Sequence, residues 1–347
     1  MTDRVPFCDL TRAYRTLRAD IDRAIARVID RGWFLRGGET DAFEAEWAAY
    51  CGQAHCVSCN SGTDALTLAA AAMAMRKAWI PATTVPLTAL GLARAETRIV
   101  ADEVGADGRL LTVRPQSVPV LLYGRMPSAE ELDCKLFDAA HAHGWKPPSN
   151  ATACWSFYPT KNLGAFGDGG AVTTNDAKLA ATMRKLTGRD DQFHDDRQIT
   201  SRMDEIQAAI LRVKLTRLDA WLDERRQLAT LYVQCLPKQL RSVSKAGDLH
   251  HLFVIRAKRR DELRTYLANH GVETKVHFPK PLHLQSPAWA PHGIRLSGAE
   301  AWCRSVLSLP CFPGLTEAEV RRVCALVADW PQLEGAADRG PELLEPI

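Results

Sequence analysis

Apolar side chains at Tyr14, Leu17, Ile21, Ile25 and Val28 repeat at helical spacing, and Gly32 ends the run. A second helix follows the glycine break in "GGETDAFEAEWAAYCG", with Thr40 as its predicted N-cap and Phe43, Trp47 and Tyr50 along one face. Beyond it, short apolar runs alternate with helical patterns. "HCVSC" precedes "TDALTLAAAAMAM"; then come "AWIPATTV", "TRIVAD", "SVPVLLYG", "CKLFDAAHAHG" and "TACWSFYP"; "GGAVTTN" leads into "AKLAATMRKL". Such alternation predicts an α/β fold whose mostly parallel sheet is covered by helices on both faces. Ligands of these sheets sit at the carboxyl ends of the strands.

From Ser201 to about Cys235 the pattern predicts one long helix through Met203, Ile206, Ile210, Val213, Leu218 and Trp221. The polar stretch "GRDDQFHDDRQIT" before it has no period and reads as a loop. After "LPKQLRSVSKAGDLH" a new strand, "HLFVIRA", opens a smaller α+β unit. The expected organisation is a large domain over 1–236, a small C-terminal domain over 237–332 and a flexible tail over 333–347.

Composition narrows the function. A chain of 347 residues with 46% hydrophobic and 24% charged residues is an ordinary globular protein. Its net charge of +3 offers no basis for a nucleic-acid partner. No apolar run is long enough for a membrane span and the N-terminus has no signal-peptide core, so a cytoplasmic location is expected. The ten cysteines are scattered. Cys56 and Cys59 form a CxxC spacing, but no second pair completes a zinc site, and the pair falls in a predicted strand. They read as core cysteines, and no metal is expected.

Three local features suit one cofactor. "NSGTDAL" is a strand end, a glycine turn and a helix start, where free N–H groups and the helix dipole attract phosphate; Ser61 and Thr63 add hydroxyls. Asp138 ends an apolar strand, as a helix cap or as a partner for a pyridinium nitrogen. Lys161, in "SFYPTKNLGAFGDGGAVTTN", is a solvated lysine on a turn or an amine that forms an imine with a carbonyl cofactor. Each feature alone is common. Together, in this order and at strand ends, they describe pyridoxal 5′-phosphate.

The chain resembles the DegT/DnrJ/EryC1/StrS aminotransferases, fold-type I enzymes dependent on pyridoxal 5′-phosphate that aminate keto sugars on nucleotide carriers. The resemblance rests on "GWFLRGGETDAFEAEWAAYCG", "NSGTDAL", "DAAHAHG", "SFYPTKNLGAFGDGGAVTTN", "SRMDEIQAAILRVKL" and "GVETKVHFPKPLHLQ". It implies Lys161 as the imine-forming lysine, Asp138 on the pyridine nitrogen and His141 beside the ring hydroxyl. It implies Ser61, Gly62, Thr63 and Ser156 at the phosphate, and Tyr158, Asn162, His277 and His283 toward the substrate. It further implies a homodimer with active sites at the interface and an amino donor such as glutamate or glutamine.

The chain departs from the family pattern at two further positions. Val85 stands where relatives carry an aromatic residue over the cofactor ring, and Thr200 where an asparagine reaches the phosphate from the partner subunit. The loop "KNLGAFGDGGAV" resembles relatives that aminate carbon 3 of the sugar, so the expected acceptor is a dTDP-3-keto-6-deoxyhexose. A 4-keto sugar nucleotide, a keto-cyclitol, or a non-catalytic binding or regulatory role are the alternatives.

Overall fold

The computed structural model describes residues 4–188, 196–291 and 293–331. Its strands are β1 (His55–Cys59), β2 (Lys77–Pro81), β3 (Arg98–Asp102), β4 (Leu136–Asp138), β5 (Thr152–Ser156), β6 (Gly170–Thr174), β7 (Arg241–Ser242), β8 (Phe253–Arg256) and β9 (Val306–Leu309). β1, β6, β5 and β4 pair in that order, and β2 pairs with β3. The segment 117–120 joins the two groups through parallel bridges Trp79–Ser117 and Val120–Asp138. The lateral order is therefore β3, β2, segment 117–120, β4, β5, β6, β1. Only β6 runs antiparallel to its neighbours, as the mostly parallel α/β reading expects. "SVPVLLYG" forms no regular strand, because Pro119 has no N–H to give a ladder.

The sheet is covered on both faces. Helix Gly62–Ala72 buries every residue from Ala65 to Ala71, and its small side chains allow close approach. A Cβ on Gly91 of helix Pro86–Arg94 would lie 2.6 Å from the Thr63 carbonyl. On the other face, Trp47 of helix Gly38–Cys51 meets Trp155 and Phe157 edge to face at 5.1 and 5.4 Å. Cys56 and Cys59 are core residues, their thiols pushed up by burial.

Two local expectations are corrected. Thr40 is not an N-cap: the helix starts at Gly38 with Gly37 as cap residue. The buried Glu205 carboxylate instead accepts the amides of Gly37, Glu39 and Thr40 and the Thr40 hydroxyl. An acid distant in sequence thus supplies the cap that a local side chain was expected to give. The long helix is two, Glu205–Leu215 and Leu218–Cys235, broken at Thr216–Arg217. Both sides of the break share a core, since Ile210 and Trp221 pack with Leu17 and Ile21; the second helix then runs on until its Leu228, Ala229 and Tyr232 join a separate core.

That separate core contains Phe253 and Ile255 of β8, Leu307 and Leu309 of β9, and Val320, Val323 and Val327 of helix Glu317–Ala328. Here β7, β8 and β9 form an antiparallel sheet. The N-terminal segment crosses to it, since Val5 bridges Val272. The expected flexible tail over 333–347 lies outside the described residues, as does most of the "GRDDQFHDDRQIT" loop. Among the described residues no helix is long and apolar enough to cross a membrane, and no cluster of His, Cys, Asp and Glu could hold a metal ion.

Candidate active site

A cavity of about 360 Å³ opens at the carboxyl ends of β4 and β5 and is lined by Asp138 and Lys161. Asp138 is the last residue of β4 and is buried. Thr88 donates to its Oδ2 at 2.7 Å, and the Ala140 amide donates to Oδ1 at 3.1 Å. Burial raises the carboxyl pKa, while these donors and nearby Lys161 oppose the rise. Lys161 lies in the turn after β5, where its amide donates to the Tyr158 carbonyl at 2.8 Å. Burial lowers its amine to about 8, against the pull of Asp138.

One wall is the start of helix Gly62–Ala72. Ser61 caps it, accepting the Asp64 amide at 3.1 Å, which leaves the Gly62 and Thr63 end facing the cavity. A Cβ on Gly62 would fall 2.8 Å from the Ser156 Cβ, so the glycine keeps a cradle between helix and strand open. Ser61, Gly62, Thr63 and Ser156 all line it. Backbone amides at a helix start, flanked by hydroxyls, suit a phosphate.

His141 lines the same cavity. The Tyr123 amide donates to its Nδ1 at 3.2 Å, and burial drives its pKa well down. Val85 lines the cavity as the residue before helix Pro86–Arg94. Tyr158 and His277 also line the cavity; Tyr158 is 53% exposed. His277 shares a hydrogen bond of 2.9 Å with Ser308, and burial lowers its pKa to about 4.

Two expected residues lie elsewhere. Asn162 is buried behind the lysine turn, with its amide on His251 and the Leu249 carbonyl. His283 is paired with Glu300 at 3.3 Å and does not line the cavity. Thr200, expected at the partner subunit's phosphate, is exposed in the single chain, while its neighbour Ser201 donates to Asp64 at 2.7 Å. Sequence reasoning also missed lining residues. Thr88 lies one helical turn after Val85, a spacing that places both at one helix start. His251, Arg225 and Lys275 come from distant segments and carry no local signature.

Residues 15–116 and 129–328 match the DegT/DnrJ/EryC1/StrS aminotransferase family. The chain belongs to this family. Similar members include a dTDP-3-amino-3,4,6-trideoxy-alpha-D-glucose transaminase from Streptomyces venezuelae, 38% identical over 95% of this chain and 97% of the relative. The erythromycin biosynthesis sensory transduction protein EryC1 of Saccharopolyspora erythraea is 39% identical over 92% of this chain and 98% of its own. Among solved structures, S. venezuelae DesV in complex with a ketimine intermediate superposes with a TM-score of 0.87 at 39% identity, covering 95% of this chain and 99% of that one. The DegT/DnrJ/EryC1/StrS assignment makes the protein an aminotransferase, and the cavity holding Lys161 and Asp138 is its candidate active site.

Proposed function

We propose that this aminotransferase uses pyridoxal 5′-phosphate to move an amino group from glutamate or glutamine to a dTDP-linked 3-keto-6-deoxyhexose. The observation that carries the reading is the buried pair at the strand ends: Lys161, its amine lowered to about 8, and Asp138, ionisable and hydrogen-bonded by Thr88. The transaminase relative at 38% identity acts at carbon 3 by its name, which supports the 3-keto acceptor. When bound, the cofactor supplies an aldehyde and a pyridine ring that stores electrons released at the substrate carbon.

The chain's residues divide the work. The helix start at Gly62 and Thr63, with Ser61 and Ser156, holds the phosphate. The Asp138 carboxylate keeps a proton on the ring nitrogen, and His141 orients the ring hydroxyl. Val85 covers a ring face by dispersion alone. Lys161 Nζ, beside Asp138 in the cavity, would be the base that carries a proton at the substrate carbon. Tyr158 and His277 face the sugar.

The division at about residue 236 separates the cofactor-holding unit from a smaller one. The separate core around β8 and β9 supports it. The protein acts as a homodimer, with Thr200 reaching the partner's phosphate site. Exposed Trp33, Phe34 and Leu35, at 64, 48 and 45%, support a covered face. Ten free cysteines suit a reducing cytoplasm.

The test offers paired 3-keto and 4-keto dTDP sugars with ¹⁵N-amino glutamate and follows the mass of the aminated sugar. Label in the 3-amino product is expected. A clear preference for the 4-keto isomer would overturn the acceptor.

A further inference from the structure

We infer that Asn162 is a positioning residue that fixes one tautomer of His251, so that the bare His251 Nε2 accepts from a hydroxyl group of the acceptor sugar. The sugar half of this inference rests on the function proposed above; the tautomer half does not.

Asn162 directly follows the reactive lysine, yet only 4% of it is exposed. Its Nδ2 donates to the Leu249 carbonyl at 3.5 Å, which fixes the amide's orientation. The amide oxygen then lies 3.0 Å from His251 Nδ1. An amide oxygen only accepts, so the proton belongs to His251 Nδ1. A neutral ring with Nδ1–H has a bare lone pair at Nε2.

His141 has the opposite arrangement. The Tyr123 amide donates to Nδ1 at 3.2 Å, so that nitrogen has no proton and a neutral ring carries it at Nε2. The two rings pack at 4.4 Å between centroids, and both line the cavity. Burial, with Lys161 nearby, holds both rings neutral, which preserves the tautomers.

The backbone around the pair is also secured. Arg225, itself buried, donates through Nη1 to the carbonyls of His250, His251 and Cys311 at 3.3, 3.1 and 2.5 Å. The Leu249 amide donates to the Gly124 carbonyl at 2.7 Å, and the Leu252 amide to the Tyr123 carbonyl at 3.1 Å. The segment bearing His251 is thus tied to the segment whose amide sets His141.

The His141 N–H is committed to the ring hydroxyl of the cofactor, which leaves the bare His251 nitrogen as an acceptor beside it. A hydroxyl can donate to that nitrogen. A carboxylate or phosphate would face its lone pair with no proton to give. His251 therefore favours a hydroxylated acceptor over the carboxylate of the amino donor.

The direct test is ¹⁵N-histidine labelling of the cofactor-free protein. His251 is expected with protonated Nδ1 and bare Nε2, and Asn162→Leu should release it to a mixture of tautomers. A wild-type His251 protonated at Nε2 overturns the inference. Asn162→Asp keeps an acceptor but favours imidazolium; it should leave His251 protonated at both nitrogens, and it provides a second reading if Asn162→Leu folds poorly. In the reconstituted enzyme, Asn162→Leu and His251→Phe should raise KM for the keto sugar by about three- to tenfold, the scale of one hydrogen bond, with KM for glutamate unchanged. His251→Gln, which retains an acceptor, should recover part of that loss. Equal losses toward sugar and glutamate overturn the sugar role. Failure of the sugar assignment alone would leave the tautomer result standing.

Discussion

The Thr88 hydroxyl donates to Asp138 Oδ2 at 2.7 Å, and burial leaves that carboxylate dependent on such donors to stay ionised. Thr88→Val keeps the shape and removes the donor. The Asp138 pKa should rise further, and the ring nitrogen should be held protonated less firmly. We expect kcat to fall about tenfold, the scale of one hydrogen bond to a charged group. Asp138→Asn should cost orders of magnitude more while pyridoxal 5′-phosphate still binds. Unchanged turnover in Asp138→Asn would return the residue to the role of a helix cap.

Lys161 predicts a pH profile. With its amine lowered to about 8, about a tenth of the molecules carry the reactive neutral form at pH 7. The rate at which cofactor-free protein takes up pyridoxal 5′-phosphate covalently should therefore rise about tenfold per pH unit below 8 and level off above it. Asp138 raises the lysine pKa by its charge, so Asp138→Asn should move the midpoint to lower pH. Stopped-flow absorbance reads both. Lys161→Ala should fold normally and lose the visible absorbance together with nearly all turnover.

Much of this site is legible in the sequence because its chemistry sits where local pattern changes. Ser61, Asp138 and Lys161 each lie at the end of an apolar run, and strand ends at turns are read from periodicity. Residues that act through contacts distant in sequence are not. Glu205 caps a helix more than 160 positions earlier, which no local capping signal shows. Asn162 reads as a cavity residue because it follows Lys161, but successive residues of a turn point in different directions. Its amide instead meets His251, 89 positions away. The break at Thr216–Arg217 carries no local signal, because neither proline nor glycine stands there and apolar spacing runs through it.

The homodimer proposal makes a surface prediction. Trp33, Phe34 and Leu35 are contiguous and exposed in the single chain. Placing charge there, as Phe34→Glu, should shift the protein toward monomer in light scattering. Because Thr200 is proposed to reach the partner's phosphate, the monomer should also bind pyridoxal 5′-phosphate more weakly. A fully active wild-type monomer at working concentration would sink the shared-site reading.

Acid stability supplies the last prediction, through His143. Burial in a box of Trp47, Trp155 and Phe157 lowers its pKa to about 3, against about 6.5 in the unfolded chain. Between those values the unfolded state holds a proton on this ring that the native state does not. Stability is therefore intact above pH 6.5 and declines as pH falls toward 3, with a limiting slope of about 1.4 kcal/mol per pH unit for this group. His277, lowered to about 4, has the same sign over a narrower range. Denaturant titrations at pH 7, 6, 5 and 4 would measure the decline. His143→Gln cannot take up this proton, so its stability should fall less steeply than wild type by about that slope, whatever the substitution does to stability at pH 7. Parallel curves for the two proteins would mean that His143 is not held neutral in the fold.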